Sequence, residues 1–155
     1  MKKLAGNDHL ASEGKINPNA SVKASYKMET DAKAEYVWEL LSDINRWPMW
    51  MSQVSEAQLE GPLKKGASFD WKNNGVKIRS VIRQVEPGKK LAWTGSVLWV
   101  KAIHIWQIDT TDNGKTRVCT AESMEGYFCR LIFPSHKLKK TLGSWLHDLK
   151  QAAES

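Results

Sequence analysis

The sequence predicts an α+β fold. A curved antiparallel sheet of about seven strands wraps around a long C-terminal helix, with two short helices after the first strand. Three observations carry this. Strand-like runs separated by short turns fill the middle of the chain from Ala67 to Met124. Strands in that order pair as an antiparallel meander. The last segment, Pro134–Ala153, places Leu138, Leu142, Trp145, Leu149 and Ala152 on one stripe, widened by Leu146. The chain also has eight tryptophans. Trp38, Trp47 and Trp50 follow the first strand, Trp71, Trp93, Trp99 and Trp106 fall in strand-like runs, and Trp145 lies on the last helix. An indole buries a large apolar surface, so indoles on all these elements imply one shared interior.

Each element has a local cause. In Ser21–Glu29, Val22, Ala24, Tyr26 and Met28 alternate with polar residues, as in a half-buried strand. Thr30-Asp31 offers an N-cap, with Glu35 in the first turn and Val37, Leu41 and Ile44 at helical spacing. Pro48 biases Trp47 out of that helix, so a break or second short helix is expected near Arg46–Met51. Gly61-Pro62 and Gly66 mark turns. The strands read as Ala67–Lys72, Val76–Val85, Leu91–Ser96, Val100–Thr110 and Thr116–Met124. Asn73-Asn74-Gly75 and Pro87-Gly88 are the turns that separate the first three. Ser135 is placed to cap the last helix.

Composition bounds the rest. Apolar residues are 41% and charged residues 26%, the balance of an ordinary globular chain. One domain over 20–155 is expected, preceded by a mobile, aperiodic tail over 1–19. No apolar run approaches the roughly 18–20 residues of a membrane span, and the N-terminus lacks a signal-peptide core. A cytoplasmic chain with reduced Cys119 and Cys129 follows, with no metal site and no cofactor expected. The net charge is +6, and Lys137, Lys139 and Lys140 cluster near Arg130 and His136. That cluster reads either as a solvated helix face or as an attractor of phosphate or an anionic membrane surface. Stable membrane anchoring and nucleic-acid binding are not expected.

One polar constellation stands out. Thr111-Asp112-Asn113-Gly114-Lys115 has the chemistry of a type I turn with a G1 bulge, Gly114 taking the left-handed position. That register sets Asp109 opposite Arg117 as a cross-strand ion pair. On the other face it pairs Ile108 with Val118, Trp106 with Thr120, His104 with Glu122 and Ala102 with Met124. Trp106 and Ile108 make that face the interior, so His104 and Glu122 are adjacent and inward. Such a pair reads as a satisfied polar contact that fixes the sheet and binds water, or as a buried carboxyl that holds an imidazolium or orients a neutral histidine towards a ligand or a proton transfer. Ile103, Ile105, Cys119 and Ala121 make the opposite face apolar as well, which suits a dimer contact; a monomer or weak homodimer is expected. No nucleophile has a matched base, and no glycine-rich phosphate loop occurs.

These residues resemble a known superfamily. Ala32-Lys33-Ala34-Glu35-Tyr36-Val37-Trp38, then Leu41, Asp43, Trp47-Pro48 and Trp50, are similar to the opening of START-like (SRPBCC) proteins. Within that superfamily the pattern resembles the polyketide cyclase/dehydrase and lipid-transport family. Lys65-Gly66 with Phe69 and Trp71 continues it, as do Val85-Glu86-Pro87 with Leu91-Ala92-Trp93, and Ala102, His104 and Trp106. Thr116-Arg117-Val118 with Glu122 and Gly126 completes a match from Val22 to Ala153. Lys33 stands where proline is common. The resemblance implies the helix-grip fold, with a hydrophobic cavity between sheet and helix. It also implies binding or transport of a lipid, sterol, polyketide or other apolar molecule. It transfers no catalytic motif.

The leading reading is therefore a binding module. Its candidate lining is Trp50, Phe69, Trp71, Ile78, Trp93, Ala102, His104, Trp106, Glu122, Met124, Leu142, Trp145 and Leu146. His104 and Glu122 would hold the polar end of the ligand. An alternative is a cyclase/dehydratase-type enzyme in which one of those two moves a proton. A second alternative is a protein-interaction module, as in chaperone-activating relatives of similar fold.

Overall fold

The computed structural model describes residues 6–155. The chain runs α1 (Gly6–Ser12), β1 (Val22–Thr30), α2 (Ala34–Ser42) and a 3-10 helix (Ile44–Met49). Six strands follow: β2 (Val54–Leu59), β3 (Ser68–Asn73), β4 (Val76–Glu86), β5 (Lys90–Val97), β6 (Val100–Thr110) and β7 (Thr116–Glu125). A one-turn helix, α3 (Cys129–Ile132), leads into α4 (Ser135–Glu154). The strands form one antiparallel sheet in the order β1-β7-β6-β5-β4-β3-β2. After β1 the chain crosses through α2 to the far edge, then meanders back until β7 lies beside β1. Register shifts at Val54/Glu56 and Ile82/Gln84 are bulges that bend the sheet.

The expected architecture is present, and β2 supplies the strand that alternation alone had not placed. It buries only Val54 and Leu59 fully, because its bulge breaks the period of two. Two caps differ from expectation. Thr30 Oγ1 accepts the Ala32 N–H at 3.2 Å, so it serves the turn out of β1, and α2 starts after Lys33 without a side-chain cap. Ser135 Oγ accepts the Lys23 N–H at 3.1 Å and ties α4 to β1 instead of capping the helix. Trp47 stays inside the 3-10 helix, where its indole N–H donates to the Leu41 carbonyl at 3.0 Å. That carbonyl lies in the last turn of α2, where helix acceptors lack partners of their own.

Large side chains fill part of the space between sheet and helix. Trp47, Phe69, Trp71 and Trp93 pack into one cluster with ring centroids 5.4–6.4 Å apart. Leu138, Leu142, Trp145, Leu146, Leu149 and Ala153 of α4 are buried against the concave face. That part of the interior is solid.

The convex face is covered too. The stretch expected as a tail over 1–19 contains α1, whose Ala11 is fully buried against Ala92, Ile103 and Ile105. Arg83 pairs with Asp8 at 3.0 Å, and the side-chain amides of Asn7 and Asn17 both donate to Glu125, at 2.9 and 3.1 Å. The apolar Ile103/Ile105 face, expected as a dimer contact, is thus roofed by the chain's own N-terminal segment. Polarity hid this in the sequence: a seven-residue helix with one buried alanine has no periodic stripe. Residues 1–5 of that expected tail lie outside the described residues.

The β6–β7 register follows the turn chemistry, with Gly114 at φ 80° and the Thr111 N–H donating to the Lys115 carbonyl at 2.8 Å. One expected pair does not form. Arg117 donates to Glu29 of β1 at 3.0 Å, while Asp109 accepts from Gln107. Glu29 faces Arg117 across the β1–β7 ladder, a neighbour that a hairpin register cannot reveal.

Removing residues 1–19 should expose Ala92, Ile103 and Ile105, lower stability by roughly 1–3 kcal/mol and induce concentration-dependent self-association. Urea unfolding and sedimentation velocity check both. A truncated chain with unchanged midpoint and mass would mean that α1 covers nothing of consequence.

Candidate functional site

Beyond the aromatic cluster, sheet and helix part. A recess of about 280 Å³ lies between β3–β7 and the start of α4, and is mainly apolar. Its floor includes Trp71, Ile78, Trp93, Ala102, Met124 and Trp145. Its polar groups are few: Asn73, Asn74, Ser80, His104, Glu122 and Thr141. Ser80 is occupied, because its Oγ accepts the Trp71 indole N–H at 3.0 Å. Three buried atoms on lining residues have no hydrogen-bond partner among the described residues: Asn73 Oδ1, His104 Nδ1 and Trp145 Nε1.

His104 and Glu122 sit opposite each other on adjacent strands. The imidazole is stacked between two indoles, Trp145 at 4.9 Å and 12° and Trp106 at 5.5 Å and 17°, with Trp93 at 4.7 Å. This sandwich leaves it 1% exposed. Such burial penalises the cation and lowers its pKa from 6.5 to about 3. The hydrogen-bond network assigns the tautomer. Thr120 Oγ1 donates to the Ile105 carbonyl at 3.0 Å, so it accepts from His104 Nε2–H at 2.8 Å. His104 Nδ1 is therefore a bare lone pair in a dry wall.

Glu122 is the complement. Its side chain is 13% exposed, and desolvation raises its pKa from 4.5 to about 8. At neutral pH it is mainly a carboxylic acid. Its Oε2 lies 3.9 Å from His104 Nδ1, too far for a direct hydrogen bond and suited to one bridging atom. Opposite charges at this spacing would form an ion pair, but both groups are neutral here, so no imidazolium is held. The pair instead presents one hydrogen-bond donor and one acceptor, both uncharged. A hydroxyl placed between them accepts from Glu122 and donates to His104.

Of the thirteen lining residues the sequence nominated, Trp71, Ile78, Trp93, Ala102, His104, Glu122, Met124 and Trp145 line this recess. Phe69, Trp106, Leu142 and Leu146 do not; each is at most 1% exposed in the solid core. Trp50 faces a wider, shallow groove of about 910 Å³ between α2 and the end of α4, with Tyr36, Arg46 and Asp148. Residues not nominated include Ser80, Val97, Val100, Phe133 and Thr141. Two of these had a signal. Ser80 falls between Ile78 and Ile82 in the inward alternation, and Thr141 lies three residues after Leu138 and four before Trp145 on the α4 stripe. A polar residue on an apolar stripe is the mark that was passed over.

The family whose description reads "Polyketide cyclase / dehydrase and lipid transport" matches residues 21–154. No curated protein matches the sequence. Among solved structures, a hypothetical protein from Helicobacter pylori superposes with a TM-score of 0.80 at 17% identity, covering 99% of this chain and 97% of that one. A START superfamily protein from Mycobacterium smegmatis gives 0.67 at 15% identity, covering 85% and 97%. DynU16, a protein in the dynemicin biosynthetic locus, gives 0.70 at 19% identity, covering 86% of this chain and 47% of that one. The fold is the helix-grip fold of the START-like proteins.

The two shifts set opposing pH dependences. Between pH 4.5 and about 8 the folded chain keeps a proton on Glu122 that the unfolded chain releases, so its contribution falls as pH rises. Between about 3 and 6.5 the unfolded chain carries a proton on His104 that the folded chain lacks, so that contribution rises with pH. The slopes cancel from 4.5 to 6.5. From pH 6.5 to about 8, Glu122 alone lowers stability, by about 1 kcal/mol per pH unit. Glu122→Gln should abolish that decline in urea unfolding; the same slope in the variant would assign it to another group. Thr120→Val leaves the His104 N–H unpaired. It should cost about 1–3 kcal/mol, read from the same unfolding curves, and free the ring to change tautomer in nitrogen NMR.

Proposed function

The chain belongs to the polyketide cyclase/dehydrase and lipid transport family, and on that premise we propose that it binds an apolar small molecule carrying a neutral hydroxyl. The observation that carries this reading is the uncharged pair in the recess wall. A carboxylic acid and a bare imidazole nitrogen stand 3.9 Å apart among apolar side chains. An apolar body gains from leaving water at roughly 25 cal/mol per Å². A hydroxyl satisfies both polar groups at once, whereas a plain hydrocarbon leaves both unpaired, at a cost that selects against it. The size of the recess, just under the roughly 300–1,000 Å³ of most ligand pockets, favours a compact ring system or a single short chain over a two-chain lipid.

The enzymatic reading rests on Glu122 alone. A pKa of about 8 suits proton donation at neutral pH. His104, at about 3, is too weak a base to share the task. Binding, with or without carriage of the ligand, needs neither proton transfer nor a base.

The test uses isothermal calorimetry with 1-naphthol and naphthalene, which differ by one hydroxyl. Naphthol should bind about tenfold more tightly, the worth of one net hydrogen bond. Glu122→Leu should erase the preference. Glu122→Gln, which keeps a donor, should retain most of it. Equal affinity for the two compounds, or saturable binding of neither, would overturn the reading.

A further inference from the structure

The rim of the recess carries large apolar side chains that the core does not use. Trp99, expected within a strand, sits with Leu98 at the β5–β6 tip, and Tyr127, Phe128, Leu131 and Ile132 follow β7. Each keeps more than half of its surface in water, Leu98 the most at 85%. The two segments are joined. The Trp99 indole N–H donates to the Tyr127 carbonyl at 2.8 Å. Gly126, at φ 150°, lets the backbones meet, since a Cβ there would lie 2.8 Å from the Trp99 carbonyl oxygen. Leu98 and Phe128 hold left-handed backbones, at φ 52° and 61°, which bulky residues rarely adopt. The chain thus accepts strain where it turns these side chains outward. Ile132 and Val76, the latter at the β3–β4 tip, are exposed and also line the recess, so the recess opens through this rim.

Charge is segregated around it. Residues 71–85, 87–108 and 126–147, which supply the rim and its approaches, contain no Asp or Glu. Arg130 lies within the apolar run, and His136, Lys137, Lys139 and Lys140 follow it, all exposed. Glu125, just before the run, is held by Asn7 and Asn17. Apolar and aromatic tips flanked by cations are the chemistry of an interfacial lipid contact: the tips enter the headgroup layer and the cations meet anionic lipid.

We propose that this rim docks reversibly on an anionic phospholipid bilayer. The apolar tips come from neighbouring turns at β3–β4, at β5–β6 and after β7, and the cations that flank them match an anionic lipid surface. Docking would set the mouth of the recess against the bilayer, so that an apolar ligand passes between them without crossing water. That passage rests on the binding proposed above; the docking does not.

Flotation of the full chain with vesicles tests it. The chain should float with phosphatidylcholine vesicles containing phosphatidylglycerol and remain unbound with phosphatidylcholine alone. Salt should weaken the association. The double variant Phe128→Ser/Leu131→Ser should lose about tenfold or more, and so should Lys137→Glu/Lys140→Glu. Both pairs are surface changes, so unfolding midpoints should stay unchanged. Retained 1-naphthol binding in these variants would separate docking from the recess. No association with anionic vesicles would overturn the proposal, as would association untouched by Phe128→Ser/Leu131→Ser. A dimer formed through the rim, lost in that variant while vesicles remain unbound, would assign the surface to a second copy and overturn it equally.

Discussion

Everything in this molecule depends on how the space between a bent sheet and a straight helix is filled. The apolar stripe of α4 needs a cover, and the concave face of the sheet needs a lid. The two surfaces do not match in shape along their whole length. Interiors tolerate few voids, so the gap closes where side chains are large enough. Trp47 enters from the 3-10 helix and meets Phe69, Trp71 and Trp93 from the sheet, and that end becomes solid. Towards the start of α4 the facing residues shrink to Ala102, Gly95, Ser80 and Thr141, and there the recess remains. Gly95 marks the limit: a Cβ there would already press on Ser80 Oγ at 3.2 Å.

The electrostatics of the site follow from the same packing. His104 is neutral because two indoles are stacked on its faces, and one of them, Trp145, belongs to the lid. Glu122 is protonated because burial in the recess wall removes water from it. The helix therefore does more than bury carbon. Burial keeps the imidazole neutral and the carboxyl protonated, so the pair stands as a neutral acceptor and donor. Such a pair costs less to bury than two charges. Thr120 completes the arrangement by accepting from one ring nitrogen and leaving the other free.

Much of this was legible in the residues. Asp112-Asn113-Gly114 determines a turn, and the turn sets a register that brings His104 to Glu122 across two strands. Eight of the thirteen nominated lining residues reach the recess, seven through inward alternation along strands and Trp145 through the apolar stripe of α4. Four of the other five share one origin. Alternation says which face a residue occupies, not how deep its neighbours bury it. Phe69, Trp106, Leu142 and Leu146 face inward as expected and are covered completely. Trp50 was misplaced because the 3-10 helix around Pro48 has no period to extrapolate. Arg117 chose Glu29 over Asp109 because a strand has two neighbours and the hairpin names only one. The state of the His104–Glu122 pair was the least legible feature, since it depends on α4, distant in sequence.

The two apolar surfaces of the sheet, similar in sequence, have opposite fates for a physical reason. On the convex face, Ile103 and Ile105 belong to the flat middle of the sheet, where α1 lies across them and Ala11 allows close approach. The side chains at the rim belong to turns and a single helical turn, which offer no flat surface for another element to cover. Leu98 and Phe128 could turn inward only by leaving the left-handed conformations that shape their turns. An apolar side chain fixed outward by its own backbone stays in water until something outside the chain covers it, and here it does so beside the exposed recess-lining residues Val76 and Ile132. The mouth of the candidate site and the exposed apolar rim thus lie together, at strand tips and the turns that follow β7, where no other element of the described residues covers them.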